Sequence, residues 1–166
     1  MSSPFVAMLM GSKSDLEAMR AGAEVLGKFG IRHEIKISSA HRTPEATREY
    51  VEAAVERGCQ VFIAGAGLAA HLAGAIAAHT TRPVIGVPMD AGPLNGFDAL
   101  LSTVQMPAGV PVAGVAIGRT GARNAAYLAA QIMALADDEL ASRVAADRRA
   151  DSERVQAQDR ELQGQQ

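Results

Sequence analysis

His41 and Arg42 stand side by side in the polar run Ser38-Ser39-Ala40-His41-Arg42. An imidazole, with a reference pKa near ~6.5, exchanges protons at neutral pH, and a guanidinium grips a phosphate through two parallel hydrogen bonds. Together they suggest acid–base work on an anion. A His-Arg pair in a loop is more often solvated surface, and its position just after a strand is what raises the functional reading. A second run, Gly11-Ser12-Lys13-Ser14-Asp15, offers a flexible glycine turn and two small hydroxyls suited to wrapping a phosphate. Asp15 is placed there to accept from sugar hydroxyls. Capping a helix competes as the role of Ser14 and of Asp15, more strongly for Ser14, whereas Ser12 has no such alternative.

The third candidate loop is Gly65-Ala66-Gly67-Leu68, with His71 expected one turn inside the helix that follows and facing the same cleft. His79 falls at the end of that helix, where a cation is favoured electrostatically, and reads as structural. His33 reads as a strand residue. Cys59 precedes the apolar run Val61-Phe62-Ile63 and reads as a small buried side chain instead of a catalytic thiol. No HExxH, paired CxxC or acid–histidine cluster occurs, so no metal is expected. A rival signal is Gly65-Ala66-Gly67-Leu68-Ala69-Ala70, a G-x-G-x-x-A pattern with Asp90 lying 23 residues beyond Gly67. It occupies the third strand–helix unit instead of the first, which weakens a dinucleotide site. A phosphoacceptor receiver is disfavoured because the third strand ends in Ala64-Gly65 without an aspartate.

The elements that must position these loops alternate along the chain. Residues 5–10 form an apolar run ending at Gly11, the pattern of a parallel strand covered on both faces. Ser14-Asp15-Leu16-Glu17 has capping-box spacing, so a helix is expected from there to about Phe29, with Gly30 ending it. Ile31, His33, Ile35 and Ile37 alternate with charged residues, as in a half-exposed strand near a sheet edge. Thr43 is a credible N-cap and Pro44 suits the first helical position of a helix reaching Gly58. Further strands are expected at 61–64, 84–87 and 112–117, and helices at 69–79, 97–105 and 124–135. Small residues dominate the helix at 69–79, among them Ala73, Gly74, Ala77 and Ala78, which allow close packing against the sheet or a neighbouring subunit.

Five strands alternating with helices predict an α/β three-layer sandwich with a parallel sheet of order 2-1-3-4-5. In such a sheet ligands bind beyond the carboxyl ends of the strands, where strand order reverses, and the three polar loops meet there before helix N-termini that attract anions. The reading is one domain over residues 1–166, with a charged C-terminal helix from about 137. Its eight acidic residues face five arginines, and residues 163–166 are expected to be disordered unless the helix packs across a subunit boundary. A chain of 166 residues, 48% hydrophobic, buries roughly 70% of its unfolded surface, so its stability calls for neither disulfide nor metal. The net charge of −2, without a basic stripe, argues against nucleic acid as a partner. No signal-like start and no run near ~18 apolar residues occurs, so no membrane association is expected and the location is read as cytoplasmic.

At these loops the chain resembles class I PurE, the N5-carboxyaminoimidazole ribonucleotide mutase family, from Val6 to about Leu135. The resemblance rests on Gly11-Ser12-Lys13-Ser14-Asp15, Ser39-Ala40-His41-Arg42-Thr43-Pro44, Ala64-Gly65-Ala66-Gly67 with Ala69-Ala70-His71-Leu72, residues 83–88 and Ser102-Thr103-Val104-Gln105-Met106-Pro107. It implies a flavodoxin-like subunit in a homo-octamer. It also implies conversion of N5-carboxyaminoimidazole ribonucleotide to 4-carboxy-5-aminoimidazole ribonucleotide in purine synthesis, an isomerisation without cofactor. By that resemblance Ser12, Asp15 and Arg42 hold the ribose phosphate, with Ser14 in the same loop. Ser39 and the loop reaching Gly67 line the pocket, His41 is the catalytic acid–base, and His71 shapes a CO2 pocket. Leu68 and Ala73 depart from the residues relatives often carry, glycine and proline, and the 89–95 loop differs while Gly96 and Asp98 are kept. Two other readings stay open: a class II enzyme that carboxylates aminoimidazole ribonucleotide directly, and a non-catalytic nucleotide-binding module.

Overall fold

The computed structural model describes residues 3–164. Five parallel strands form one sheet in the order β2-β1-β3-β4-β5. They are β1 (Phe5–Met10), β2 (His33–Ile37), β3 (Cys59–Ala66), β4 (Val84–Pro88) and β5 (Ala113–Gly114). The helices between and after them are α1 (Leu16–Lys28), α2 (Pro44–Glu56), α3 (Leu72–Ala77), α4 (Phe97–Val104), α5 (Gly118–Ala134) and α6 (Asp138–Gln163). This is the predicted three-layer flavodoxin-like arrangement.

β1 explains why the sheet is central. All its residues are 0–2% exposed, with Val6, Met8 and Met10 joining the α1–α5 core and Phe5, Ala7 and Leu9 the opposite one. A strand buried on both faces needs apolar side chains at every position, the pattern seen in the sequence. On the first face Ala122, Ala125, Ala126, Ala129 and Ala130 of α5 are all fully buried. Alanine lets α5 close on α1 so tightly that a Cβ at Gly22 would lie 2.6 Å from the Ala122 carbonyl oxygen. On the second face α2 and α3 cover the sheet, and α4 packs over β4 where Gly86 leaves room for Thr103.

Several local expectations change. The capping box at Ser14 does not form: a short 3-10 turn over Lys13–Asp15 precedes α1, and Ser12 caps it by accepting from the Ser14 N–H at 3.3 Å. Thr43 and Pro44 stand at the N-cap and N1 of α2 as read, but the Thr43 hydroxyl turns back to Ser39 instead of capping. β2 is the half-exposed sheet edge expected, with Ile31 before it buried, but its later apolar positions face outward. Glu34 is half-buried under Arg57 and Tyr50, while Ile35 and Ile37 are exposed. α3 is six residues long, not eleven, and begins after His71. β5 keeps two residues of the six expected, and α5 begins at Gly118, six residues early. α6 starts at a formed cap, where Asp137 accepts from Leu140 N–H at 2.9 Å. The expected disorder at 163–166 falls partly on residues 165 and 166, outside the described residues; Gln163 still closes the helix. No described helix is long and apolar enough to cross a membrane.

Candidate active site

The turns after β1, β2 and β3 meet at the carboxyl edge of the sheet around a cleft of about 540 Å3. Gly11, Ser12, Ser14, Asp15, Ser39, His41, Arg42, Gly67 and His71 all line it, so every site residue expected from sequence arrives in one place. A larger groove of about 1060 Å3 lies at the opposite end of the strands and takes in His79, away from the other histidines.

The second loop is held at both ends. The Ser39 N–H donates to Thr43 Oγ1 and that hydroxyl donates to the Ser39 carbonyl, both at 3.1 Å, while the Thr43 N–H reaches the same carbonyl at 2.8 Å. Below this closure, Ser38 and Thr47 are buried and their hydroxyls lie 2.7 Å apart. Thr47 spends its proton on the Thr43 carbonyl at 2.9 Å, so Ser38 donates to Thr47. The end of β2 is thus tied to the first turn of α2, and residues 39–42 form a short bracketed loop between them. Neither member of this buried pair was singled out in the sequence. A Ser and a Thr nine apart across a strand–loop–helix junction are its faint trace.

Arg42 bridges two loops. Its Nη2 donates to the Gly11 carbonyl at 3.1 Å, and both its backbone N–H and Nε donate to Ser39 Oγ, at 3.2 and 3.3 Å. Ser14 donates its hydroxyl to Asp15 Oδ1 at 3.2 Å. Burial in the cleft pushes the Asp15 carboxyl above its ordinary range, partly offset by Ser14 and the Ser12 backbone, and the nearby Asp90 carboxylate raises it further. Asp90 entered the sequence reading only as a dinucleotide partner, and its place beside Asp15 was missed.

His41 Nε2 lies 2.8 Å from His71 Nδ1, the rings meeting edge to face at 84° with centroids 4.9 Å apart. His71 comes to the cleft as the N-cap of α3, not from inside the helix. One proton bridges the two nitrogens. One ring donates across this contact and the other accepts, so the two imidazoles act as a hydrogen-bonded pair. Such a dyad can give up and take back one proton beside a bound substrate.

The glycine loop does not build a dinucleotide site. Gly65 and Ala66 lie inside β3, Leu68 takes a left-handed backbone with φ 56°, and the six-residue α3 starts too late to aim its N-terminus at a pyrophosphate. Cys59 is fully buried, donates to the Val61 carbonyl at 3.3 Å, and has its thiol pushed up to about 11 by burial, the inert small side chain expected. The AIR carboxylase family model matches residues 5–154. The chain belongs to the AIR carboxylase family. The N5-carboxyaminoimidazole ribonucleotide mutase of Bacillus subtilis is 54% identical over 141 residues, covering 85% of this chain and 87% of that one. That of Mycobacterium tuberculosis is 53% identical over 162 residues, covering 96% and 91%. The crystal structure of Treponema denticola PurE superposes with a TM-score of 0.87 at 31% identity, covering 96% of this chain and 99% of that one. In this member of the AIR carboxylase family the matched region spans all three cleft loops and about two thirds of α6.

Proposed function

We propose that the cleft converts N5-carboxyaminoimidazole ribonucleotide to 4-carboxy-5-aminoimidazole ribonucleotide, an isomerisation in purine biosynthesis, with His41 as the acid–base. The observation that carries this reading is the His41–His71 dyad 2.8 Å apart in the same cleft as Ser12, Asp15 and Arg42. Curated relatives that are half identical over most of the chain bear the mutase name. Ser12, Ser14 and Arg42 take the phosphate, Asp15 accepts from ribose hydroxyls, and Ser39 with Gly67 bounds the base.

The chemistry balances on one proton. The N–C bond of the carbamate breaks, its electron pair stays on the exocyclic nitrogen, and His41 supplies the proton that makes this nitrogen an amine. The CO2 so released is attacked by ring carbon C4, a C–C bond forms, and His41 takes the C4 proton back. His71 holds the partner end of the dyad during both transfers. Holding CO2 against C4 replaces a bimolecular encounter by a positioned one, an effect that reaches ~7 kcal/mol or more.

The same proposal includes a homo-octamer in the cytoplasm. Phe97, Leu101 and Val104 form an exposed apolar stripe along α4 at i, i+4 and i+7, with Leu94 beside it, the kind of surface that subunit contacts bury. The test of the activity is turnover, in chelator and without ATP, of N5-carboxyaminoimidazole ribonucleotide against aminoimidazole ribonucleotide plus bicarbonate. Rapid conversion of the carbamate is expected. Preference for the second pair would make the chain a direct carboxylase, and turnover of neither would leave a binding module.

A further inference from the structure

The groove at the amino ends of the strands, at about 1060 Å3, lies at the top of the size range of small-molecule sites. The last turn of α2, the end of α3, the start of β4, residues 109–113 and Ile132 of α5 frame it over a floor in which Val84 and Ile85 are buried. Its hydrogen-bond donors gather where α3 turns into β4. Thr80-Thr81-Arg82 makes that turn, closed by the Arg82 N–H donating to Thr80 Oγ1 at 3.0 Å. The bond uses a lone pair of the hydroxyl and leaves its proton to donate. Among the described residues the Arg82 guanidinium, the His79 ring and the Thr81 hydroxyl enter no hydrogen bond or ion pair, although all line the groove. Glu52 of the α2 wall is taken by Arg48 at 2.9 Å, and Glu56 pairs with neither cation.

A cavity that collects an arginine fork, an imidazole and two hydroxyls without a carboxylate on them is built for an anion from outside. The fork meets two oxygens at once, and the remaining donors suit the third oxygen of a phosphate monoester, which a carboxylate lacks. Val84, Val110 and Pro111 continue the lining toward β5, on the far side of the turn from the α2 glutamates, and offer apolar surface to an uncharged body. We propose that this groove binds a small organic phosphate, its phosphate on Arg82, His79, Thr80 and Thr81 and its ring or short apolar body over Val84, Val110 and Pro111. The groove shares no lining residue with the catalytic cleft, so the site stands whether or not the cleft is that of a mutase.

Phenyl phosphate is the probe, measured by equilibrium dialysis, with inorganic phosphate and benzoate as competitors. Arg42→Ala weakens the phosphate grip of the catalytic cleft, so the binding that this variant keeps reports the groove. Added to it, Arg82→Ala or His79→Ala is expected to weaken that binding, for Arg82→Ala roughly ten-fold or more. Arg82→Lys is expected to retain part of it, because a point charge replaces the fork. Both residues are exposed on a surface turn, so the fold survives their loss, and an unchanged melting temperature checks this. Inorganic phosphate, which lacks the body, and benzoate, which lacks the third oxygen, are each expected to bind several-fold more weakly than the probe. No binding to Arg42→Ala at millimolar probe, or binding that Arg82→Ala leaves unchanged, overturns the site. Benzoate binding as tightly as phenyl phosphate overturns the phosphate, and inorganic phosphate doing so overturns the apolar body.

Discussion

At the residue scale the account turns on which groups in the cleft carry charge. Ionised, Asp15 accepts from ribose hydroxyls with both oxygens and most strongly, and burial first, then Asp90, make it hold its proton to higher pH than an ordinary carboxyl. Substrate affinity should therefore fall on the acid side at a pH above the usual carboxylate range. Asp90→Asn removes one of the raising influences, so the acid limb of kcat/KM is expected to move to lower pH while the plateau stays; a limb that does not move removes Asp90 from this role. His71→Asn takes away the imidazole partner of His41. Because positioned proton transfer is worth roughly 10²–10⁴-fold, kcat is expected to fall by ten-fold or more with KM little changed, read from steady-state kinetics.

At the element scale the question is what keeps the 39–42 loop in place. The Ser38–Thr47 pair is buried, and a buried hydroxyl left without a partner costs about 1–3 kcal/mol. Thr47→Val is expected to cost that much in a denaturant melt, and adding Ser38→Ala to recover part of it, since the second change removes the orphan. Additive losses would show that the pair does not act as a unit. The legibility of the sequence follows from the same physics. Strands buried on both faces, the Gly11 turn and the Thr43-Pro44 helix start are local signals, and with them the sheet order and the position of the cleft could be read; the turn read at Gly65 begins only after Ala66. β2 misled because alternation shows which residues share a face, not which face is covered. Ser14 was read as a cap because its spacing fits a capping box, yet the 3-10 turn hands that role to Ser12. The Ser38–Thr47 bond joins the end of a strand to a helix, and no periodicity encodes it.

At the scale of the whole molecule the body and α6 are joined by a small polar hub. Asp147 accepts from Tyr127 at 2.9 Å and pairs with Lys28, and Tyr127 packs edge to face on Phe29 at 5.6 Å. The hydrogen bond from Lys28 holds the Asp147 carboxyl below its ordinary range, and Arg57 does the same for Glu34 beside β2. A carboxyl depressed in the folded state adds stability above its unfolded pKa and loses it as pH falls through the folded one. Thermal stability should therefore decline below about pH 4, and the gap between wild type and Asp147→Asn, about 1 kcal/mol at pH 7 given how exposed Lys28 is, should close there. α6 runs about 39 Å at 1.5 Å per residue, and from Ser152 every described residue on it is exposed. On the α4 stripe, Phe97→Asp is expected to lower the assembly state seen by sedimentation, and an unchanged mass would remove that surface from the interface.

The central claim is that His41 moves the proton while its neighbours hold the nucleotide. Its most direct test is single-turnover conversion of N5-carboxyaminoimidazole ribonucleotide by wild type and His41→Asn, with nucleotide binding measured on the same preparations. The account predicts binding close to wild type through Ser12, Asp15 and Arg42, with conversion reduced roughly 10²-fold or more. A folded His41→Asn variant that binds and still converts substrate at near the wild-type rate would contradict it.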